Sequence, residues 1–504
     1  MAPPPRWLFW HRRDLRLADN LGLAAATAAT PAVTGVFVLD PGLLSSPTLA
    51  PARLWFLRES LRALAERWRG AGSQLLLLRG DPAEVLPPLA EAIGAEVVAW
   101  NQDVEPYGRE RDRRVAAALQ SRGLRVLVDW DQLLVPPERL RTGAGEPYRV
   151  YGPFLRAWRR QVEQRAALGS AASGGLDPVA SPTGLVDLPR DPSAAWPEGR
   201  RRLWDALPLR ALEPALQDLA ADFSGADLCP CRPGEAAALA QLEAFCADGL
   251  RGGGLLTYGD GRNLPGREGT SGLSAALKFG TLSPRQAWAA AQDARQLARG
   301  PEALDSISVW EQELAWREFY QQALLHFPEL AEGPYRPQWR QFPWQNDPLW
   351  LDAWREGLTG VPIVDAAMRQ LNGSGWMHNR CRMIVASFLV KDLICDWRLG
   401  EAAFMAQLVD GDQAANNGGW QWSASSGMDP KPLRIFNPAS QAGKFDPEAT
   451  YIRRWVPELA HVATADLISG QIQPLERRGY PAPLVDHKRQ QAHFKALYAA
   501  LPRG

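Results

Sequence analysis

The segment DGDQAANNGGWQW, Asp410 to Trp422, concentrates two carboxylates, two adjacent asparagines, a glycine pair and two tryptophans one residue apart. It is too polar for ordinary core and too aromatic for an ordinary loop. Upstream, EGTSGLSAALKFGTLSPRQAW (Glu268 to Trp288) brings small hydroxyl residues to the start of a helical pattern. Thr270, Ser271 and Ser274 there leave hydroxyls and backbone N–H groups free to cradle a pyrophosphate, although a plain N-cap uses the same residue types. In VWEQELAWREFYQQAL, starting at Val309, Glu313 and Arg317 stand four apart on one helical face beside Trp316. A surface salt bridge would account for that pair. The apolar neighbours Leu314, Phe319 and Leu324 instead imply a mostly buried helix, where charges need partners. GWMHNRCRMIVASFLVKDLICDW, Gly375 to Trp397, sets Asn379, Arg382 and Met383 at helical spacings of three and four ahead of an apolar run. His378 reads as a structural histidine, not a catalyst.

The elements that must hold these groups follow from hydrophobic periodicity. RWLFWH, AVTGVFVLD, SQLLLLRG, EVVAWNQD and LRVLVDW predict buried strands within residues 1–135, alternating with helical stretches such as RLWFLRESLRALAERWR. The fold class expected is therefore α/β: a doubly wound parallel sheet, with a ligand crevice at the strand C-termini. No G-x-G-x-x-G follows the first strand, so a dinucleotide bound in the usual Rossmann manner is not indicated. Residues 136–208, rich in Pro, Gly, Ser and Ala, predict a long interdomain linker over the surface, with one short helix at YGPFLRAWRRQ. From 209 to 504 the pattern is helical almost throughout and predicts a large all-α domain.

A chain of 504 residues exceeds one typical core. Its 46% hydrophobic and 22% charged content describe an ordinary folded protein. No apolar run approaches the roughly 18 residues of a membrane span, and arginines interrupt the N-terminal apolar run, unlike a secretory signal. Five cysteines without repeated spacing suit a reducing cytoplasm. Cys229 and Cys231 form a lone C-x-C, and no metal site is expected. A formal net charge of zero argues against a polycationic nucleic-acid binder while leaving room for a local basic groove. Of 21 tryptophans, ten fall between Trp310 and Trp422; filling a helical core explains most of them.

Taken together and in this order, these motifs, with WHRRDLRLADN near the N-terminus, resemble the photolyase and cryptochrome flavoprotein family. The resemblance runs from about Trp7 to the end and is strongest through Gly375 to Phe445. It is closest to the cyclobutane pyrimidine dimer photolyases that carry a deazaflavin antenna. It implies FAD, active as FADH−, folded into a U in the helical domain. Tyr258 and the loop Thr270, Ser271, Gly272, Leu273 and Ser274 would hold the phosphates. Trp310, Arg317, Trp376, Arg382, Asp410, Gly411, Asp412 and Asn416 would surround the adenine and the ring system, with Asn416 at the flavin N5. Many relatives have Arg where this chain has Gly272, which removes one candidate phosphate charge. Trp420, Trp397 and Trp344 would form an electron relay towards the surface.

The implied activity is light-driven repair of cyclobutane pyrimidine dimers. An electron passes from excited reduced FAD to a flipped-out dimer and returns after the ring splits. Trp316 and Trp422 would wall the dimer, Glu313 and Asn379 would hydrogen-bond its base edges, and Met383 would pack against it. Arg262, Arg380, Lys431, Arg434 and Gln441 would contact DNA without sequence preference. The antenna implied is 8-hydroxy-5-deazaflavin, with FMN or folate as alternatives, because folate-binding relatives have Asn-Glu where this chain has Tyr107 and Gly108. Val38, Arg53, Asp103, Glu105, Tyr107, Arg109 and Lys278 are its expected contacts. A monomer is expected. The competing expectation is a blue-light-sensing cryptochrome. Asn at 416, where plant-type cryptochromes commonly have Asp, and the short C-terminus weigh against it. A second rival, a (6-4) photolyase, typically has histidines where Asn379 and Met383 stand, so all these residues favour cyclobutane dimer repair.

Overall fold

The computed structural model describes residues 4–189, 196–219, 222–247, 254–428 and 433–501. All five expected strands form: β1 (Arg6–His11), β2 (Val33–Leu39), β3 (Leu75–Arg79), β4 (Ala95–Asn101) and β5 (Arg125–Asp129). They pair in parallel in the order β5-β4-β1-β2-β3. Strand β2, VTGVFVL, is buried at every position, as a central parallel strand covered on both faces must be. The sequence pattern missed β6 (Leu209–Arg210), which returns from beyond the linker to pair antiparallel with β3. Two residues carry no periodicity, so no pattern could have found it.

The strand order reverses between β1 and β4, which opens a crevice at their C-terminal ends. There β1 delivers Arg12 and Arg13, and β4 delivers Asp103. The helical part packs around Trp354, Leu371, Val385, Leu389, Ile452 and Phe494, all buried. Its 26-residue Pro301–His326 helix also carries the linker. Buried Glu318 accepts from the Leu134 backbone N–H, from Val135 N–H at 3.3 Å and from Trp158 Nε1 at 2.8 Å. The linker helix Tyr151–Ala166 therefore lies bonded to the helical part, with Phe154 against Phe319 at 5.2 Å between ring centroids.

A second tie joins the two halves. Arg285, from the helix Pro284–Leu297, reaches Asp19 at 2.9 Å and Asp131 at 2.6 Å, while Arg16 also holds Asp131 at 2.6 Å. The four side chains are at most 1% exposed.

Candidate functional site

A cavity of about 920 Å³ opens between the Pro301–His326 helix, the Thr270–Ser274 loop and the helices Asn379–Lys391 and Gln413–Ala424. Among the described residues it is lined by every expected FAD contact: Tyr258, Thr270, Ser271, Gly272, Leu273, Ser274, Trp310, Arg317, Trp376, Arg382, Asp410, Gly411, Asp412 and Asn416. Glu313, Trp316, Asn379, Met383 and Trp422 line the same cavity, as do Arg262, Arg380 and Arg434 at its rim.

The opening segment divides its duties by residue. Asp412 caps the Gln413–Ala424 helix, accepting from Ala415 N–H at 2.9 Å. Asp410 takes both bonds of a fork from Arg382 Nη2, at 2.8 and 3.1 Å, while Arg382 Nε donates to the Met377 carbonyl. The asparagines both line the cavity and both bond Glu401, through different atoms. Asn416 lines the cavity and donates to the Glu401 carbonyl at 3.0 Å, whereas buried Asn417 donates to Leu330 O and to Glu401 Oε1, each at 2.9 Å.

The glycines serve the protein as much as a ligand. A Cβ at Gly418 would collide with the Tyr320 ring, and one at Gly411 would press on Arg53 Cζ at 3.3 Å; Gly419 faces open space in the cavity. Gly272 has φ +64°, and a Cβ there would strike Gln241, which ties the loop by donating to Pro230 O and Ser271 O at 2.9 Å.

The sequence spacing suggested a Glu313–Arg317 pair. It does not form. Glu313 pairs with Arg262 at 2.6 Å, and Arg317 donates to Gln132 O at 2.7 Å and Leu277 O at 3.2 Å. Leu277 lies in the last turn of the short helix Ser274–Phe279, whose carbonyls lack intrahelical partners, so Arg317 is drawn there. Burial pushes the Glu313 carboxyl above its usual range even beside Arg262. Burial also lowers Arg317 to about 10 and Lys278 to about 8, the latter helped by Arg13. His378 is the structural residue expected: buried, with Nδ1 accepting from Arg380 N–H at the N-terminus of the Asn379–Lys391 helix. Burial and nearby arginines hold it down at about 4, so it is neutral at ordinary pH.

Other expected groups are distributed less simply. Trp420 is buried, but its ring partners are Phe404 at 5.0 Å and Trp354 at 6.1 Å; Trp397 is buried at the start of the helix Trp397–Met405. Trp344 is half-buried against Phe342 and Trp339. Arg380 bonds Asn263 Oδ1 at 2.7 Å and covers Phe445, Arg434 covers Trp422, and Gln441 sits on the helix Pro438–Phe445. Lys431 lies outside the described residues.

The antenna set is split. Asp103, Glu105, Arg53 and Lys278 meet at the junction of the two halves, and Lys278 lines the main cavity. Tyr107 instead donates to Asp40 at 2.9 Å, exposed Arg109 donates to Leu325 O, and Val38 is buried in the sheet core.

Two residues of this site escaped the sequence reading. Arg13, at the end of β1, holds Glu105 at 2.6 Å, Asp103 at 3.3 Å and Asp412, linking the sheet crevice to the cap of the cavity helix. Its place in WHRRDLR, just past the first strand, was the available signal. Glu401 lies on a neighbouring amphipathic helix with no motif around it. Burial raises its carboxyl to about 7, against the Asn417 hydrogen bond. A raised carboxyl stabilises the fold most below its unfolded value of about 4.3, and that contribution is lost as pH climbs through 7. Glu401→Gln keeps the acceptor for Asn417. It is therefore expected to flatten the fall in melting temperature between pH 5 and pH 8; an unchanged slope would place the titration elsewhere.

The donor set fits FAD. Arg317 and Lys278 are half-buried cations that form no ion pair among the described residues, as a pyrophosphate site requires, and Trp420 Nε1 is buried without a partner. The family model for the FAD-binding domain of DNA photolyase matches residues 310–500, and that for DNA photolyase matches residues 7–172. A deoxyribodipyrimidine photo-lyase from Synechococcus sp. is 57% identical over 98% of this chain and 96% of its own. A bacterial class III photolyase structure from Agrobacterium tumefaciens superposes with a TM-score of 0.85 at 36% identity, covering 99% of this chain and 98% of its own. A Synechocystis cryptochrome structure gives 0.84 at 27% identity, covering 99% of this chain and 100% of its own.

The chain belongs to the DNA photolyase family. It is an enzyme, a photo-lyase of the deoxyribodipyrimidine type with that family's FAD-binding domain.

Proposed function

We propose that the protein binds DNA carrying a cyclobutane pyrimidine dimer and splits the dimer by light-driven electron transfer, acting as a cytoplasmic monomer. No helix among the described residues is long and apolar enough to cross a membrane. One observation carries the reading: Glu313, Trp316, Asn379, Met383 and Trp422 share a cavity with Arg382, Asp410, Asp412 and Asn416. Bound and reduced, FAD supplies the electron that opens the cyclobutane ring and accepts it back.

The protein's own groups do the rest. Arg382 and Asp410 orient the polar edge of the ring system. Asn416 offers N5 a neutral amide that cannot supply a proton. Arg317, Lys278 and the Thr270–Ser274 loop neutralise the pyrophosphate. Trp316 and Trp422 give the extruded dimer apolar walls and exclude water. Asn379, and Glu313 whenever it holds a proton, which its burial favours and Arg262 opposes, donate to the dimer's carbonyls, where negative charge develops. Arg262, Arg380 and Arg434 place cations at the rim for phosphates, which reconciles DNA binding with zero net charge. At the junction, buried Arg53 offers a cation to an anionic antenna, 8-hydroxy-5-deazaflavin by the sequence resemblance, while Lys278, on the cavity side, serves the pyrophosphate.

The deciding experiment is light-dependent loss of a defined dimer from an oligonucleotide by the reduced protein. Absence of repair together with a light-driven redox change would favour a signalling cryptochrome. Trp344→Phe is expected to slow photoreduction of the oxidised flavin by external reductant at least tenfold, while chemically reduced protein still repairs. Normal photoreduction would take Trp344 off the path and turn attention to Trp354, whose ring lies 6.1 Å from that of Trp420.

A further inference from the structure

The linker enters the cavity: Val150, Tyr151 and Gly152 line it. Tyr151 opens the helix Tyr151–Ala166 and lays its ring flat on Trp316, with centroids 3.4 Å apart and planes 6° apart. Two further contacts fix the phenol to the same helix. Its hydroxyl donates to Gln312 O at 3.1 Å, one turn before Trp316, and its ring edge meets Phe319 at 5.7 Å. Phe319 also meets Trp316 edge-on at 5.9 Å. Trp316 is thus clamped from the linker side, and its plane is set before any ligand arrives. Aromatic pairs usually settle at centroid distances of about 4.5–7 Å. So close an overlap is held by the hydroxyl anchor and the helix start, not by ring attraction alone.

We infer that Tyr151 is a positioning residue for the dimer: it backs Trp316 so that the indole meets the extruded bases as a rigid wall, and it thereby sets the preference for damaged over undamaged DNA. The inference rests on the repair reading above. A mobile indole would lose rotamer freedom on every binding event, and a preset one does not. Undamaged duplex, whose bases stay stacked, never reaches the wall and is indifferent to it.

The test compares Tyr151→Leu and Tyr151→Phe with the parent, each with FAD bound, by measuring Kd for a dimer-containing oligonucleotide and its undamaged twin. Tyr151→Leu is expected to lower the damaged-to-undamaged affinity ratio about tenfold, the order of one aromatic contact, with Kd for undamaged DNA and the FAD absorbance unchanged. Tyr151→Phe, which keeps the ring but loses the hydroxyl anchor on Gln312 O, should give a ratio between those of the parent and Tyr151→Leu. In a cycle with Trp316→Ala, Tyr151→Leu should add little, because without the indole there is nothing to back. An unchanged ratio, fully additive losses, or tighter dimer binding by Tyr151→Leu would overturn the inference; the last would make Tyr151 a plug that the dimer displaces. If the parent neither prefers the dimer nor repairs it, the repair reading itself fails. Preference in the parent retained by Tyr151→Leu removes only this inference.

Discussion

Arg285→Ala is expected to destabilise the protein by about 3–5 kcal/mol, the usual cost of breaking a buried ion pair by removing one partner. Arg285 donates to the Asp19 carboxylate and carbonyl and to the Asp131 carboxylate and carbonyl, at 2.6–3.1 Å. Both aspartates are fully buried. Without Arg285, Asp131 keeps Arg16 and the Leu21 N–H at 3.1 Å, and Asp19 keeps neutral donors, Ser283 and Val179 N–H, to offset a desolvated charge. Burial alone would raise Asp131, yet Arg16 and Arg285 hold it below its ordinary value. Its contribution is therefore present above about pH 3.9 and is lost as pH falls through the lowered value. Urea unfolding followed by fluorescence measures the loss. A shift below about 1 kcal/mol would mean that water replaces the guanidinium, against the full burial seen here.

Glu313→Ala is expected to leave FAD bound and cut repair per absorbed photon several-fold, because a donor to the developing charge disappears. Glu313→Gln should keep most of the yield, since its amide is a donor at every pH. The sign follows from the raised carboxyl: Glu313 donates only while protonated, so repair by the parent falls as pH rises through that value, and repair by Glu313→Gln does not. Glu313→Ala also frees Arg262 from its 2.6 Å pair, which should tighten binding of undamaged DNA slightly at low salt. Equal yields in all three proteins under limiting light would remove Glu313 from the chemistry.

What was legible in the sequence was whatever repeats or clusters. Four strands announced themselves because buried parallel strands are continuous apolar runs; β5, RVLVD, was expected buried too but is the sheet's edge strand with no buried position, and its apolar run marked the strand without its exposure. The DGDQAANNGGWQW segment stood out because polar and aromatic residues rarely mix so densely. What stayed hidden depends on partners far apart in the chain. Nothing around Glu313 points to Arg262 rather than Arg317; the choice is made by burial and by carbonyls at a helix end. Arg13 was visible as part of a motif, but its reach to Asp412 spans nearly the whole chain. Tyr151 lay in a stretch whose Pro and Gly content suggested surface connection, and only the clamp of Glu318 on Leu134, Val135 and Trp158 brings that stretch inside. The antenna set divided for a related reason: nearness to the crevice in sequence does not decide which way Tyr107 or Arg109 turns.

The late return of Leu209–Arg210 to β3 has a consequence for synthesis. As the chain leaves the ribosome, the other strands of the sheet can pair as soon as they emerge, N-terminal elements first. The leucine-rich β3, LLLLR, then stands as a bare edge, with unpaired backbone groups and an apolar surface. It stays open until the whole linker has followed and β6 closes it. A nascent or truncated chain that stops short of Leu209 therefore leaves Leu77 and Leu78 without the edge partner they have in the finished protein, and its solubility depends on how quickly the next stretch arrives.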